Sequence, residues 1–171
     1  EVPRMHRYLL GAIGPRPIAF ASTIDSDGIS NLAPFSFFNA FSANPPILVF
    51  SPARSGRTNT TKDTYNNVKK VPEVVINVVN YELVHQMSLT SSPYPSNTDE
   101  FIKSGLTPVT SDLIKPFRIK ESPVQFECRV NQVIELGDQG GAGNLIICEV
   151  LKIHISEEVL DEKDMIDQHK I

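Results

Sequence analysis

Two long strand-like runs joined by a glycine-rich loop constrain this chain more than any other feature. Val124–Leu136 alternates, with Val124, Phe126, Cys128 and Val130 pointing one way and Gln125, Glu127, Arg129 and Asn131 the other. That is the period of a half-buried antiparallel strand. Asn144–Ser156 repeats the pattern with Ile146, Cys148 and Val150 on one face, and the Gly137–Gly143 loop makes the pair a hairpin. Upstream, Ile18–Ile24 reads as a strand closed by the Asp27-Gly28 turn, with Ser30–Phe38 as its hairpin partner. Ile47–Ser51 and Val74–Val79 are short, nearly continuous apolar runs of the buried-strand type. Helices are fewer. Asp63 is placed to N-cap a helix through Lys70, Tyr81–Leu89 is amphipathic with Leu83, Val84 and Met87 inward, and Thr98 caps a short helix that Gly105 stops. At least six strands without regular β-α alternation predict a mostly β fold, a β-barrel with short helices.

A chain of 171 residues with 40% hydrophobic content is long enough for one domain with a real core, and we read residues 1–171 as a single domain. The net charge of −4 argues against a nucleic-acid surface. No apolar run approaches the ~20 residues of a membrane helix, and no signal peptide is evident. Cys128 and Cys148 both fall inside strands; their number allows a disulfide, and buried free thiols of a cytoplasmic protein are the better reading. The four histidines show no metal spacing, so no metal is expected, and Gly137–Gly143 joins two strands instead of opening a helix, which favours a flexible hairpin over a phosphate loop.

Three segments carry candidate chemistry. Lys62-Asp63-Thr64 opens a helix, where unpaired N–H groups and partial positive charge suit a phosphate. Arg54 and Arg57 lie just upstream in a Ser/Gly/Thr loop. A capped surface helix with solvated cations fits the same residues. Ser36-Phe37-Phe38-Asn39 sets two aromatics between a hydroxyl and an amide. That combination suits a flat, half-polar ring, and equally a strand end with core aromatics. Ser22, Thr23 and Ser51 sit on neighbouring strand ends, as ring contacts or as plain strand hydroxyls. Arg16 stands between two prolines, a rigid setting that either aims it at a ligand or leaves it on the surface.

Pro15-Arg16-Pro17-Ile18-Ala19, Ser36-Phe37-Phe38-Asn39-Ala40, Lys62-Asp63-Thr64, Ser92-Pro93-Tyr94-Pro95 and Glu121-Ser122-Pro123-Val124 occur in one order. Together they resemble the flavin reductase-like family of FMN-binding split-barrel proteins, from about Tyr8 to about Leu160. The resemblance implies a six-stranded antiparallel split barrel, a homodimer, and a flavin site near the subunit junction. It implies FMN, or FAD, as cofactor, and NAD(P)H as a transient co-substrate. It assigns the Ser36–Asn39 segment to the flavin ring, the Lys62–Thr64 segment to its phosphate, and Arg16 to either. The Ser92–Pro95 loop is expected near the flavin or at the junction. The implied activity is hydride or electron transfer between NAD(P)H and flavin. The alternative is a flavoredoxin-like FMN carrier that exchanges electrons with a protein partner. Relatives usually continue past the segment equivalent to Met165–Ile171 into a Gly- and Tyr-bearing tail.

Overall fold

Ala19 and Ala21 of the first strand face one hydrophobic cluster, and Phe20 between them faces another. A strand covered on both sides reads as a continuous apolar run, which is why Ile18–Ile24 shows so little alternation. The computed structural model describes residues 2–171. It begins with helix α1 (Val2–Ala12) and the strands β1 (Ala19–Ile24), β2 (Ser30–Phe35), β3 (Phe38–Ala43) and β4 (Pro46–Phe50). Helix α2 (Asp63–Lys70) and β5 (Glu73–Asn77) follow, then α3 (Val84–Thr90), entered through a single 3-10 turn, and α4 (Glu100–Ser104). The chain then forms β6 (Pro108–Val109), β7 (Arg118–Ile119), β8 (Val124–Glu135) and β9 (Asn144–Ile155).

The main sheet has seven strands in the order β2-β1-β5-β8-β9-β4-β3, and β6-β7 form a separate pair. The fold is mostly β with short helices, as predicted, and every paired register is antiparallel. The strand count of six is corrected to seven in that sheet. The extra strand comes from the predicted Ser30–Phe38 run, which breaks at Ser36-Phe37 so that β3 leaves β1 and pairs with β4 instead. The sheet curls around Phe50, Val74, Ile76, Ile146 and the two cysteines. Its outer face at β1 and β2 is covered by α3 and α4 through Phe20, Leu32, Leu83 and Phe101.

Local expectations hold in most elements. Gly105 ends α4 in the left-handed conformation, φ 71°, which glycine adopts without strain. The cap of α4 is Asp99, whose carboxylate accepts from the N–H groups of Phe101 and Ile102, not Thr98. Val84 faces outward, since the 3-10 turn before α3 shifts the inward face to Leu83 and Met87. Cys128 and Cys148 are buried and free.

On β8 the polar phase is also covered. Gln125 and Glu127 are buried beneath the excursion that carries β6 and β7. Glu127, with no exposed surface, accepts from the N–H of Asp112 at 2.8 Å and of Leu113 at 2.7 Å. His154 Nε2 lies 2.7 Å from the same carboxylate. Burial alone would push this carboxyl up, but these donors win and hold it below the usual carboxylate range. Asp112 also lies within 4.8 Å of the Glu127 and His154 ligand atoms. Lys152 and Arg118 bring positive charge to this group, so it is a charge network that pins the excursion to the barrel. Among the described residues no helix is long and apolar enough to cross a membrane.

Candidate functional site

A cleft of about 1060 Å³ opens along the outer end of β2. One wall is β2 itself and its continuation, from Asn31 to Phe37. The opposite wall is the loop after β4, with Ser51, Ser55, Arg57, Thr58, Thr60 and Thr61, leading into Lys62, Asp63 and Thr64 at the start of α2. The Thr90–Ser96 segment with Tyr94, and then Glu100, close a third side. Helix α1 contributes His6 and Leu10.

At one end the cleft gathers groups of the kind that suit an anion. Lys62 occupies the N-cap position of α2 with extended backbone, and no side chain caps the helix. The first-turn N–H groups are therefore free of side-chain acceptors, and Lys62, Arg57 and the threonines at 58, 60 and 61 line the same cleft. Asp63 is the first helical residue and not the cap. Its carboxylate accepts instead from Ser96 Oγ at 2.9 Å.

Buried polar groups hold this helix start in place. Asn31 Nδ2 donates to Thr64 Oγ1 at 2.9 Å and to Thr23 Oγ1 at 3.2 Å, and Asn67 Nδ2 reaches the same Thr23 oxygen at 3.2 Å. Thr23 thus joins α2 to β1 and does not line the cleft. Ser22 points into the barrel wall and is fully buried. Neither residue expected as a ring contact lines this cleft, because β1 is an inner strand covered on each face.

The loop between β4 and α2 rests on the β8–β9 hairpin. Arg54 does not line the cleft. Its guanidinium donates to Asn59 Oδ1 at 2.8 Å and to the Asn59 carbonyl at 2.6 Å. Asn59 has φ 55° and donates onward to the Asp138 carbonyl at 2.9 Å. A Cβ at Gly140 would meet the Ser55 carbonyl at 3.0 Å and the Gly56 Cα at 3.2 Å. The glycine loop therefore acts as a bed for the loop between β4 and α2.

The other end is apolar. Pro34, Phe35, Phe37 and Leu10 line it, with Ser36 beside them. His6 meets Phe37 edge-on, with ring centroids 6.1 Å apart at 65°. Arg16 holds this end from behind. It donates to the Leu10 carbonyl at 2.8 Å and to the Ile13 carbonyl, and its Nε is 3.5 Å from Ser36 Oγ. Phe38 turns to the barrel core against Phe50. Asn39 is exposed on β3, bonded through Oδ1 to the Ala40 N–H, and lies outside the cleft. The structure thus brings Ser36, Phe37, Ser51, Arg57, Lys62, Asp63 and Thr64 to one cleft, and leaves Arg16, Ser22, Thr23, Phe38, Asn39 and Arg54 off its wall. The β2–β3 break after Phe37 accounts for Phe38 and Asn39.

Residues that the sequence reading missed are His6, Asn31, the threonines at 58, 60 and 61, and Glu100. Glu100 is almost buried and accepts from the Leu32 N–H at 3.1 Å. Burial pushes its carboxyl up, and the nearby Asp63 and Asp99 push the same way. Only the threonines had a signal, a hydroxyl-rich run before a helix start. His85 is exposed on α3, away from the cleft.

The donor set and the shape fit a phosphorylated flat ring: N–H groups and cations at one end, aromatic and apolar surface at the other. The family model for the flavin reductase like domain matches residues 12–170. An uncharacterized protein of Aquifex aeolicus is 40% identical over 97% of this chain and 82% of its own length. Among solved structures, nitrilotriacetate monooxygenase component B from Bacillus cereus is similar with a TM-score of 0.89 and 31% identity, over 96% of this chain and 81% of that one. A split barrel domain protein from Shewanella frigidimarina shares the fold, with a TM-score of 0.79 and 23% identity over 96% and 79% of the two chains. The chain belongs to the flavin reductase-like family, flavin-linked redox proteins with the split-barrel fold.

Proposed function

We infer that this protein binds FMN in the cleft and passes a hydride or electrons between NAD(P)H and that flavin. One observation carries the reading: a single cleft joins an uncapped helix start bearing Lys62 to an aromatic end bearing Phe37. The flavin supplies the redox chemistry when bound, and the protein supplies binding, orientation and exclusion of water. Lys62, Arg57 and the N–H groups of α2 hold the phosphate. Phe37, Ser36 and Ser51 contact the ring. Arg16 and Arg54 act as positioning residues, the first on Ser36 and α1, the second on the loop at Asn59. FMN is preferred in this reading because the Lys62 end supplies a site for one phosphate.

The reading includes a homodimer. Strand β3 is an exposed edge of the sheet, with Phe41 69% exposed, and such an edge pairs readily with another chain. It also places the protein in the cytoplasm, where two buried free thiols persist. The 171 residues work as one flavin-binding unit in this account.

An absorbance spectrum of the purified protein, followed by anaerobic titration with NADH and NADPH, tests the proposal. Flavin bands that bleach on nicotinamide addition are expected. Bound flavin that neither nucleotide reduces, with no NAD(P)H oxidation when free flavin is added, would replace the reductase by an electron carrier serving a protein partner. A protein that takes up no flavin would refute both.

A further inference from the structure

Glu100 stands on the cleft wall, and none of the roles above uses it. It is the first residue of α4, and only 8% of it is exposed. A carboxyl so far from water needs partners. Oε2 has the Leu32 N–H at 3.1 Å. The carboxyl also takes its own backbone N–H, but Oε1 takes no hydrogen bond from another residue among the described residues, and it is not one of the polar atoms sealed from solvent without a partner.

Its place along the cleft is specific. Leu32 follows Asn31, which is bonded to Thr64 at the anion-binding end. From Leu32 the wall runs through Ala33, Pro34 and Phe35 to Ser36 and Phe37 at the aromatic end. Glu100 therefore meets a ligand that spans the two ends just inside the anion-binding end. In a flavin nucleotide the group adjoining the phosphate is a polyol chain. A carboxyl oxygen with a free lone pair is a strong acceptor for a hydroxyl, and low polarity around it strengthens the bond. The apolar surroundings are in place, since Leu32 and Phe101 beside it belong to the outer hydrophobic cluster.

We propose that Glu100 is a specificity-determining residue of the cleft, accepting a hydrogen bond from a hydroxyl of the ligand's linker chain, so that a polyol-bearing flavin is selected over the bare ring. The proposal rests on the flavin reading given above. A glutamate that served only to occupy the edge N–H of Leu32 would be indifferent to the linker.

Fluorescence titrations of the wild-type protein and Glu100→Gln with FMN, riboflavin and lumiflavin separate these cases. Glutamine keeps the shape and an acceptor for Leu32 but gives up the charge-assisted bond. FMN and riboflavin should weaken by about 10-fold in the variant and lumiflavin should not change. Unchanged lumiflavin affinity also reports that the variant's cleft is intact. Equal loss for all three ligands, or no loss for any, overturns the proposal while leaving FMN binding by the wild type standing. No flavin binding by the wild type overturns the flavin reading itself, and this proposal with it. Infrared difference spectra of the wild type need no variant. A carboxyl band should shift on adding riboflavin and stay put with lumiflavin, and the same spectrum for both ligands counts against the assignment.

Discussion

Ser96 Oγ donates to Asp63 Oδ1 across 2.9 Å, fastening the Tyr94 segment to the first residue of α2. The bond links two walls of the cleft that are otherwise separate loops. Removing it by Ser96→Ala should leave the barrel intact and free the Thr90–Ser96 segment to open. A single hydrogen bond of this kind is worth about 0.5–1.5 kcal/mol, so flavin release should quicken by about 2- to 10-fold. Stopped-flow displacement of bound FMN checks this, and an unaltered release rate would show that the segment does not gate the ligand.

Lys62→Ala should separate phosphate from ring. A charge-assisted contact contributes ~2–3 kcal/mol, so FMN should bind about 30- to 150-fold more weakly while riboflavin barely changes. Parallel titrations with the two flavins decide the matter. An equal loss for both would move the phosphate away from the α2 start.

Gly140→Ala tests the bed beneath the anion-binding loop. The new methyl meets main-chain atoms of Ser55 and Gly56 at 3.0 and 3.2 Å, which cannot swing aside as a side-chain tip does. Overpacking of this sort costs about 1–3 kcal/mol, paid here as displacement of the Ser55–Thr61 loop. FMN affinity should fall about 10-fold or more, and riboflavin affinity less. Identical losses for both flavins would mean that the loop does not meet the phosphate.

Acid should unfold the protein through Glu127. Its folded-state pKa lies below the ordinary value, so its stabilisation is complete above the unfolded pKa of about 4.3 and is lost as pH falls through the folded one. Urea midpoints measured from pH 7 down to pH 3 should drop steeply at the acid end. Glu127→Gln, lower at neutral pH, should show a shallower acid limb. Parallel curves for the two proteins would assign the acid loss to other groups.

Both thiols should be inert in the folded state. Burial pushes Cys148 up to about 12 and Cys128 up as well, leaving almost no thiolate at neutral pH. A colorimetric thiol reagent should report no reaction until denaturant is added, then two thiols per chain. Prompt reaction of either without denaturant would contradict the burial.

Periodicity located the elements that tertiary contacts then modified. The Asp63–Lys70 helix and the β8–β9 hairpin were legible because each carries its own start, stop and alternation. Helix α1 was not, since none of its residues is buried and its position comes from Arg16 bonding its carbonyls. The end of β2 was missed because nothing local marks the change of partner at Ser36-Phe37. Glu127 looked like the wet face of a strand, and only the arrival of Asp112, Leu113 and His154 from elsewhere makes it interior. The same holds for the cleft. Lys62 and Phe37 could be named from helix-start and aromatic chemistry, whereas Glu100 and His6 reach it through long-range folding alone.

The cleft wall is drawn from α1, β2, the loop after β4, the start of α2 and the Thr90–Glu100 stretch, so its lining runs from residue 6 to residue 100. A molecule seated there would be a further cross-link between five pieces of chain already joined by Asn31–Thr64, Ser96–Asp63 and Glu100–Leu32. By mass action, a ligand present at 100 times its Kd adds about 2.7 kcal/mol to the folded state. The melting temperature of any preparation should therefore measure how much of it carries ligand.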